Sequence, residues 1–145
     1  MKIVLDTNVL VSGLLSPFGP CGEIVRMVAS ADVTVCYDAR ILTEYREVLA
    51  RPRFRFNPDR VAAILEQIEY RGMPVASQPL PRPLPDPDDE PFLAVALAGK
   101  ASCLVTGNHA HFPPALCGKA TVLSPAEFLA EWRTMLIEQE ERNNR

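Results

Sequence analysis

Lys2-Ile3-Val4-Leu5-Asp6-Thr7-Asn8-Val9-Leu10 is the stretch from which the rest of the chain can be read. Its apolar run has no alternation, which fits a short strand buried on both faces, as in a parallel sheet. Asp6 then falls at the C-terminal end of that strand, where open α/β sheets place their ligands. A simpler use of Asp6 would be to cap the helix that follows. Partners for Asp6 elsewhere in the chain decide between the two.

With 145 residues and a hydrophobic share of 48%, the chain is read as one domain, 1–145, able to bury a proper core. No apolar run reaches membrane-spanning length, and no basic region with an apolar leader precedes the first strand, so no signal peptide is expected. Cys21, Cys36, Cys103 and Cys117 are scattered without a C-x-x-C pair and read as reduced, mostly buried thiols of a cytoplasmic protein. His109-Ala110-His111 with Cys117 does not complete a usual structural zinc set.

Beyond Asn8, residues 9–15 are predicted helical up to the break at Ser16-Pro17-Phe18-Gly19-Pro20. Cys21, Ile24, Val25 and Val28 mark one face of a second helix, and Val33 to Tyr37 a second buried strand. Asp38 can cap the next helix, in which Ile41, Leu42, Tyr45, Val48 and Leu49 form the apolar stripe. Glu44 falls on that stripe, and a carboxylate on an inner face is costly unless something positive meets it. Pairing with Arg40 or Arg51 is the ordinary explanation, and a cation in a site is the other.

Net charge is −3, which does not advertise a nucleic-acid partner, yet Arg51, Arg53 and Arg55 interleave with Phe54 and Phe56. Such a segment suits phosphate contacts with some base stacking, or is simply a solvated loop. Asn57-Pro58 opens a further helix carrying Val61, Ile64, Leu65 and Ile68. Residues 72–87 contain six prolines and read as an extended surface connector.

Asp86-Pro87-Asp88-Asp89-Glu90-Pro91-Phe92 is the second acidic centre. Its helix should begin near Asp88 or Asp89 and, being apolar from Phe92 to Ala98, should be buried nearly all round. Capping explains one or two of these acids. Four within five residues repel one another, which suggests a cation. A strand at 102–105 ends in Thr106-Gly107-Asn108, and another follows at 120–123. Ser124-Pro125-Ala126-Glu127 has the form of a capping box for a last helix, with Phe128, Leu129, Trp132 and Leu136 facing the core and a polar tail from 138 to 145.

Alternating strands and helices predict an α/β fold with a mainly parallel sheet covered on both faces. No nucleophile has an obvious base and there is no Gly-rich phosphate loop. A carboxylate cluster without histidine is a hard-oxygen set suited to Mg²⁺ or Mn²⁺, the ions of phosphoryl chemistry.

Asp6-Thr7-Asn8, Glu44, Asp88-Asp89 and Thr106-Gly107-Asn108, in this order, make the chain resemble the PIN-domain ribonucleases. It looks most similar to their branch of toxins from bacterial toxin–antitoxin systems, related to the VapC toxins. The resemblance runs from Leu5-Asp6-Thr7-Asn8 through Phe92-Leu93-Ala94 to Leu123-Ser124-Pro125. It implies a three-layer α/β/α sandwich and metal-dependent endonucleolytic cleavage of RNA leaving 5′-phosphate ends. It also implies an antitoxin partner and a homodimer.

Carried over by residue, Asp6, Glu44 and Asp89 match the catalytic, metal-holding acids, with Asp88 as a substitute or supporting group. Thr7 and Asn8 match the polar pair beside the first acid, and Thr106 the hydroxyl near the metal. Asn108 stands where the family often has a fourth Asp, so a second metal is in question. A catalytically weak RNA-binding or protein-interaction module on the same fold is the alternative. A haloacid-type phosphatase would need Asp where Asn8 stands.

Overall fold

The computed structural model describes all of residues 1–145. Five strands, β1 (Lys2–Leu5), β2 (Thr34–Tyr37), β3 (Met73–Pro74), β4 (Cys103–Val105) and β5 (Val122–Leu123), form one sheet in the order β3-β2-β1-β4-β5, every neighbouring pair parallel. Its helices are α1 (Thr7–Leu15), α2 (Pro20–Ala29), α3 (Ala39–Leu49), α4 (Pro58–Arg71), α5 (Glu90–Ala98) and α6 (Pro125–Asn143). Short 3₁₀ turns occupy Pro52–Phe54, Pro87–Asp89, His109–His111 and Pro114–Leu116. The result is a three-layer α/β/α sandwich.

β1 holds the centre because Ile3, Val4 and Leu5 are wholly buried, the pattern that calls for cover on both faces. α5 packs against β1, β2 and β4, and its Phe92, Leu93 and Val95 are sealed in the core. Tyr45 of α3 lies against Phe92 with ring centroids 6.3 Å apart, and its hydroxyl donates to Leu5 O at the end of β1. That bond ties the helix bearing Glu44 to the strand that delivers Asp6.

Helix starts follow local chemistry. Asp38 accepts from Ile41 N, and Asn57 accepts from Asp59 N ahead of Pro58. Ser124 and Glu127 close a reciprocal capping box at α6. Within the proline-rich connector Met73–Pro74 adds an edge strand to β2, a place where proline's missing donor is harmless. One expectation needs correction: Leu136 is 39% exposed, because α6 projects past its packing partners after Trp132.

All four cysteines are free, and Cys36, Cys103 and Cys117 are buried. Burial pushes the Cys103 thiol up to about 12. No helix is long and apolar enough to cross a membrane.

Candidate metal centre

The chain lays β1, β2 and β3 outward on one side of the sheet, then returns to place β4 on the other side of β1. In open sheets the crevice beyond the C-terminal ends of the strands flanking such a reversal is the usual ligand position, and here those strands are β1 and β4. Asp6 and Thr106 are the first residues past those two ends. Their backbones continue the ladder, Asp6 N donating to Val105 O at 2.9 Å and Thr106 N to Leu123 O at 3.0 Å.

Asp6 precedes α1 but its carboxylate does not cap it. Oδ2 instead accepts from Thr106 Oγ1 at 2.8 Å and from Asn8 Nδ2 at 3.2 Å. Asn8 Oδ1 accepts from Gly107 N at 3.0 Å, and Thr106 Oγ1 from Asn108 N at 3.0 Å. Both side-chain donors to Asp6 converge on one oxygen, so Oδ1 has no side-chain partner. Burial raises the Asp6 carboxyl above its ordinary range. The Thr106 bond, the nearby Asn8 and Thr7 amides and the His111 charge pull it back.

Glu44 sits half-buried at the rim, where Thr7 Oγ1 donates to its Oε2. Neither ordinary partner claims it: Arg40 pairs with Asp38 at 2.7 Å, and Arg51 makes no ion pair. Burial raises its carboxyl. Asp6 and Asp88 add to the rise, while the Thr7 bond and the Arg51 charge oppose it.

In the second acidic centre the carboxylates divide their tasks. Asp86 caps the turn, Oδ1 accepting from Asp88 N, and Glu90 accepts from Leu84 N. Asp88 is exposed. Asp89 is 8% exposed, makes no cap bond, and its Oδ2 is a buried acceptor with no hydrogen bond. Burial and then the Asp6 charge lift Asp89 to about 6, with His111 opposing and Asp86 adding.

The structure also brings a histidine to the second acidic centre. His111 Nδ1 stands 2.9 Å from Asp89 Oδ2, close enough for attraction although not aligned as a hydrogen bond. Candidate ligand atoms of Asp86, Asp89 and His111 lie within 4.8 Å of one another. Only a 3₁₀ turn after β4 brings His111 there, and the sequence carries no local signal of that direction. His109 turns away to Glu127 at 3.5 Å, and Cys117 Sγ donates to Pro113 O, so these three residues do not converge.

Arg51 and Arg55 rim a 590 Å³ groove floored by Leu49, Phe56, Val61 and Leu65, and none of Asp6, Glu44 and Asp89 lines it. Arg53 lies over the Phe54 ring at 4.8 Å, and Phe54 stacks on Phe56 with centroids 5.2 Å apart. The arginines therefore adjoin the acids through Arg51 alone, by its charge on Glu44.

The residues present fit a divalent ion: the Asp6 charge acts on both Glu44 and Asp89, and these three carboxylates are hard donors gathered at one end of the sheet. An uncharacterized protein of Methanocaldococcus jannaschii, MJ1680, is 28% identical over 111 residues, covering 74% of this chain and 71% of that protein. The solved structure of FitAB bound to an IR36 DNA fragment contains a chain of similar fold. Its TM-score is 0.51 at 17% identity, over 85% of this chain and 94% of that one. The family model of the PIN domain matches residues 2–110, which include Asp6, Glu44, Asp89, Thr106 and Asn108, and the chain belongs to the PIN domain family.

Proposed function

We propose that this protein is a metal-dependent endoribonuclease, and that it is the toxin of a toxin–antitoxin pair. The observation that carries the reading is the buried Asp89 carboxylate, whose Oδ2 has only the His111 imidazole beside it, next to Asp6, whose charge raises both Asp89 and Glu44. Asp6, Glu44 and Asp89 would hold Mg²⁺ or Mn²⁺, with Asp88 at the margin. The ion supplies positive charge that acidifies water and offsets phosphate.

The chain's own residues do the rest. Thr106 and Asn8 fix Asp6 by donating to one oxygen, and Thr7 holds Glu44 from the first turn of α1. Asn108 lies three residues past the end of β4, and offers an amide where a fourth acid would add charge. Arg51, Arg53 and Arg55 grip the phosphate backbone of RNA as it enters, with the Phe54–Phe56 stack beside them.

FitAB was solved on DNA; for this chain the corresponding proposal is an antitoxin that covers the crevice with a basic side chain. A homodimer and a cytoplasmic location complete the reading. The missing charge at Asn108 favours the second reading, a catalytically weak RNA-binding or protein-interaction module on the same fold.

The test is incubation of purified protein with mixed RNA and Mn²⁺, beside Asp6→Asn. Internal cleavage by the parent and none by the variant is expected. Equal behaviour of the two proteins would remove the nuclease reading.

A further inference from the structure

Asp86 and His111 have no task in the three-acid site, yet both flank Asp89. Asp86 uses Oδ1 to cap the turn, by accepting from Asp88 N at 2.9 Å, which leaves Oδ2 free. His111 presents Nδ1 to Asp89 Oδ2 at 2.9 Å. Asp89 is 8% exposed, and that oxygen has no partner other than this imidazole, whose approach is not aligned as a hydrogen bond. The three ligand atoms fall within 4.8 Å of one another.

Ligands about 2.1 Å from an octahedral ion stand about 3 Å apart when adjacent and about 4.2 Å when opposite. The Asp89–His111 separation already matches an adjacent pair. The His111 side chain, 44% exposed, has room for the small rotation that closes the rest.

We propose that Asp86, Asp89 and His111 form a mixed nitrogen–oxygen site for a divalent first-row transition ion, with Asp89 shared between this site and the Asp6–Glu44 side of the crevice. The proposal rests on the reading above in one respect, that the crevice takes a divalent ion. It adds a choice of ion. Imidazole suits the first-row transition ions, those after Mn²⁺ most, whereas Mg²⁺ prefers oxygen and retains water. It also locates the ligands that stand in for a fourth acid: not Asn108, but a histidine three residues later and an aspartate three residues before Asp89. A rival account makes His111 only a charge partner of Asp89, with no bond to metal.

Titration of the metal-free full chain with Mn²⁺ and, separately, Mg²⁺, together with pulsed electron paramagnetic resonance of the Mn²⁺ form, separates the two accounts. The parent should show ¹⁴N coupling from one imidazole. H111Q should abolish that coupling and weaken Mn²⁺ about tenfold or more while changing Mg²⁺ less than about threefold. Preserved Mg²⁺ binding also shows that H111Q is folded.

D86N keeps a capping oxygen and should weaken Mn²⁺ while leaving the nitrogen coupling in place. H109Q, altered at the histidine that faces Glu127, should match the parent. Mn²⁺ bound without ¹⁴N coupling, or coupling that survives H111Q, overturns this inference and leaves the three-acid site standing. Failure of the parent to bind either ion overturns both.

Discussion

Thr106 Oγ1 donates to Asp6 Oδ2 at 2.8 Å, joining the ends of two adjacent strands across 100 residues of sequence. The same hydroxyl accepts from Asn108 N at 3.0 Å. Thr106→Val removes a donor and an acceptor from a wholly buried position and should cost roughly 1–3 kcal/mol. Thr106→Ser should recover most of it. Denaturant unfolding of both variants checks this, and a Val variant as stable as the parent would show that the hydroxyl is not needed.

Removing charge from the acids should have opposite effects with and without metal. Asp6→Asn, Glu44→Gln and Asp89→Asn should each melt no lower than the parent in chelator, because repulsion between like charges is relieved. The rise in melting temperature that Mn²⁺ gives the parent should shrink or vanish in each. RNA cleavage should fall with it. Three variants that respond to Mn²⁺ like the parent would exclude these residues as ligands.

Asp89 sets a pH window. Its folded value, about 6, lies above the ordinary 3.8, so the folded protein holds this proton more tightly than the unfolded chain does. Without metal, Asp89 therefore costs stability above about pH 6, and that cost disappears as pH falls through 6 toward 3.8, on the order of 1–3 kcal/mol. Metal competes with the same proton, so Mn²⁺ affinity and cleavage should rise with pH through about 6. Thermal unfolding at about pH 5 and about pH 7.5, for the parent and Asp89→Asn, measures the difference. A metal-free parent whose pH response matches the variant's would contradict the assignment.

Asn108→Asp adds a negative group to an acidic crevice. In chelator it should destabilise the protein. With Mn²⁺ or Mg²⁺ it should bind the ion more tightly, since a hard cation prefers a carboxylate to an amide. Cleavage should be at least as fast as the parent's. Calorimetric titration decides, and equal or weaker binding would mean that Asn108 does not face the ion.

Arg51 is the arginine whose charge reaches Glu44, whereas Arg53 lies on the Phe54 ring. Arg51→Ala should weaken RNA binding and lower the salt dependence by about one charge, with a smaller effect from Arg53→Ala. Fluorescence anisotropy across a salt series reads both. An unchanged slope for Arg51→Ala would take it off the RNA path.

The parts legible in the sequence are those with short-range causes. The apolar run ending in Asp6 marks β1, and Asp38, Asn57 and Ser124 announce helices that they do cap. Asp89 and Glu44 stand out because carboxylates on inner positions need an explanation. His111 was not legible, since its approach to Asp89 depends on how a turn after β4 folds back. β3 escaped for another reason: two residues, one of them proline, carry no periodicity. The place of the arginines was half legible, because composition gives a basic segment but not the groove that it rims.

The return of the chain to the far side of β1 also sets a timetable. At about 5–20 residues per second, the interval between synthesis of Asp6 and of Thr106 is roughly 5–20 seconds. From the synthesis of β2 until that of β4, β1 has β2 on one edge and nothing on the other, an open edge able to recruit foreign strands. Until β4 is made, Asp6 also lacks its buried donor. A nascent chain thus has an incomplete Asp6 centre and an exposed sheet edge, and both conditions end with the docking of one three-residue strand.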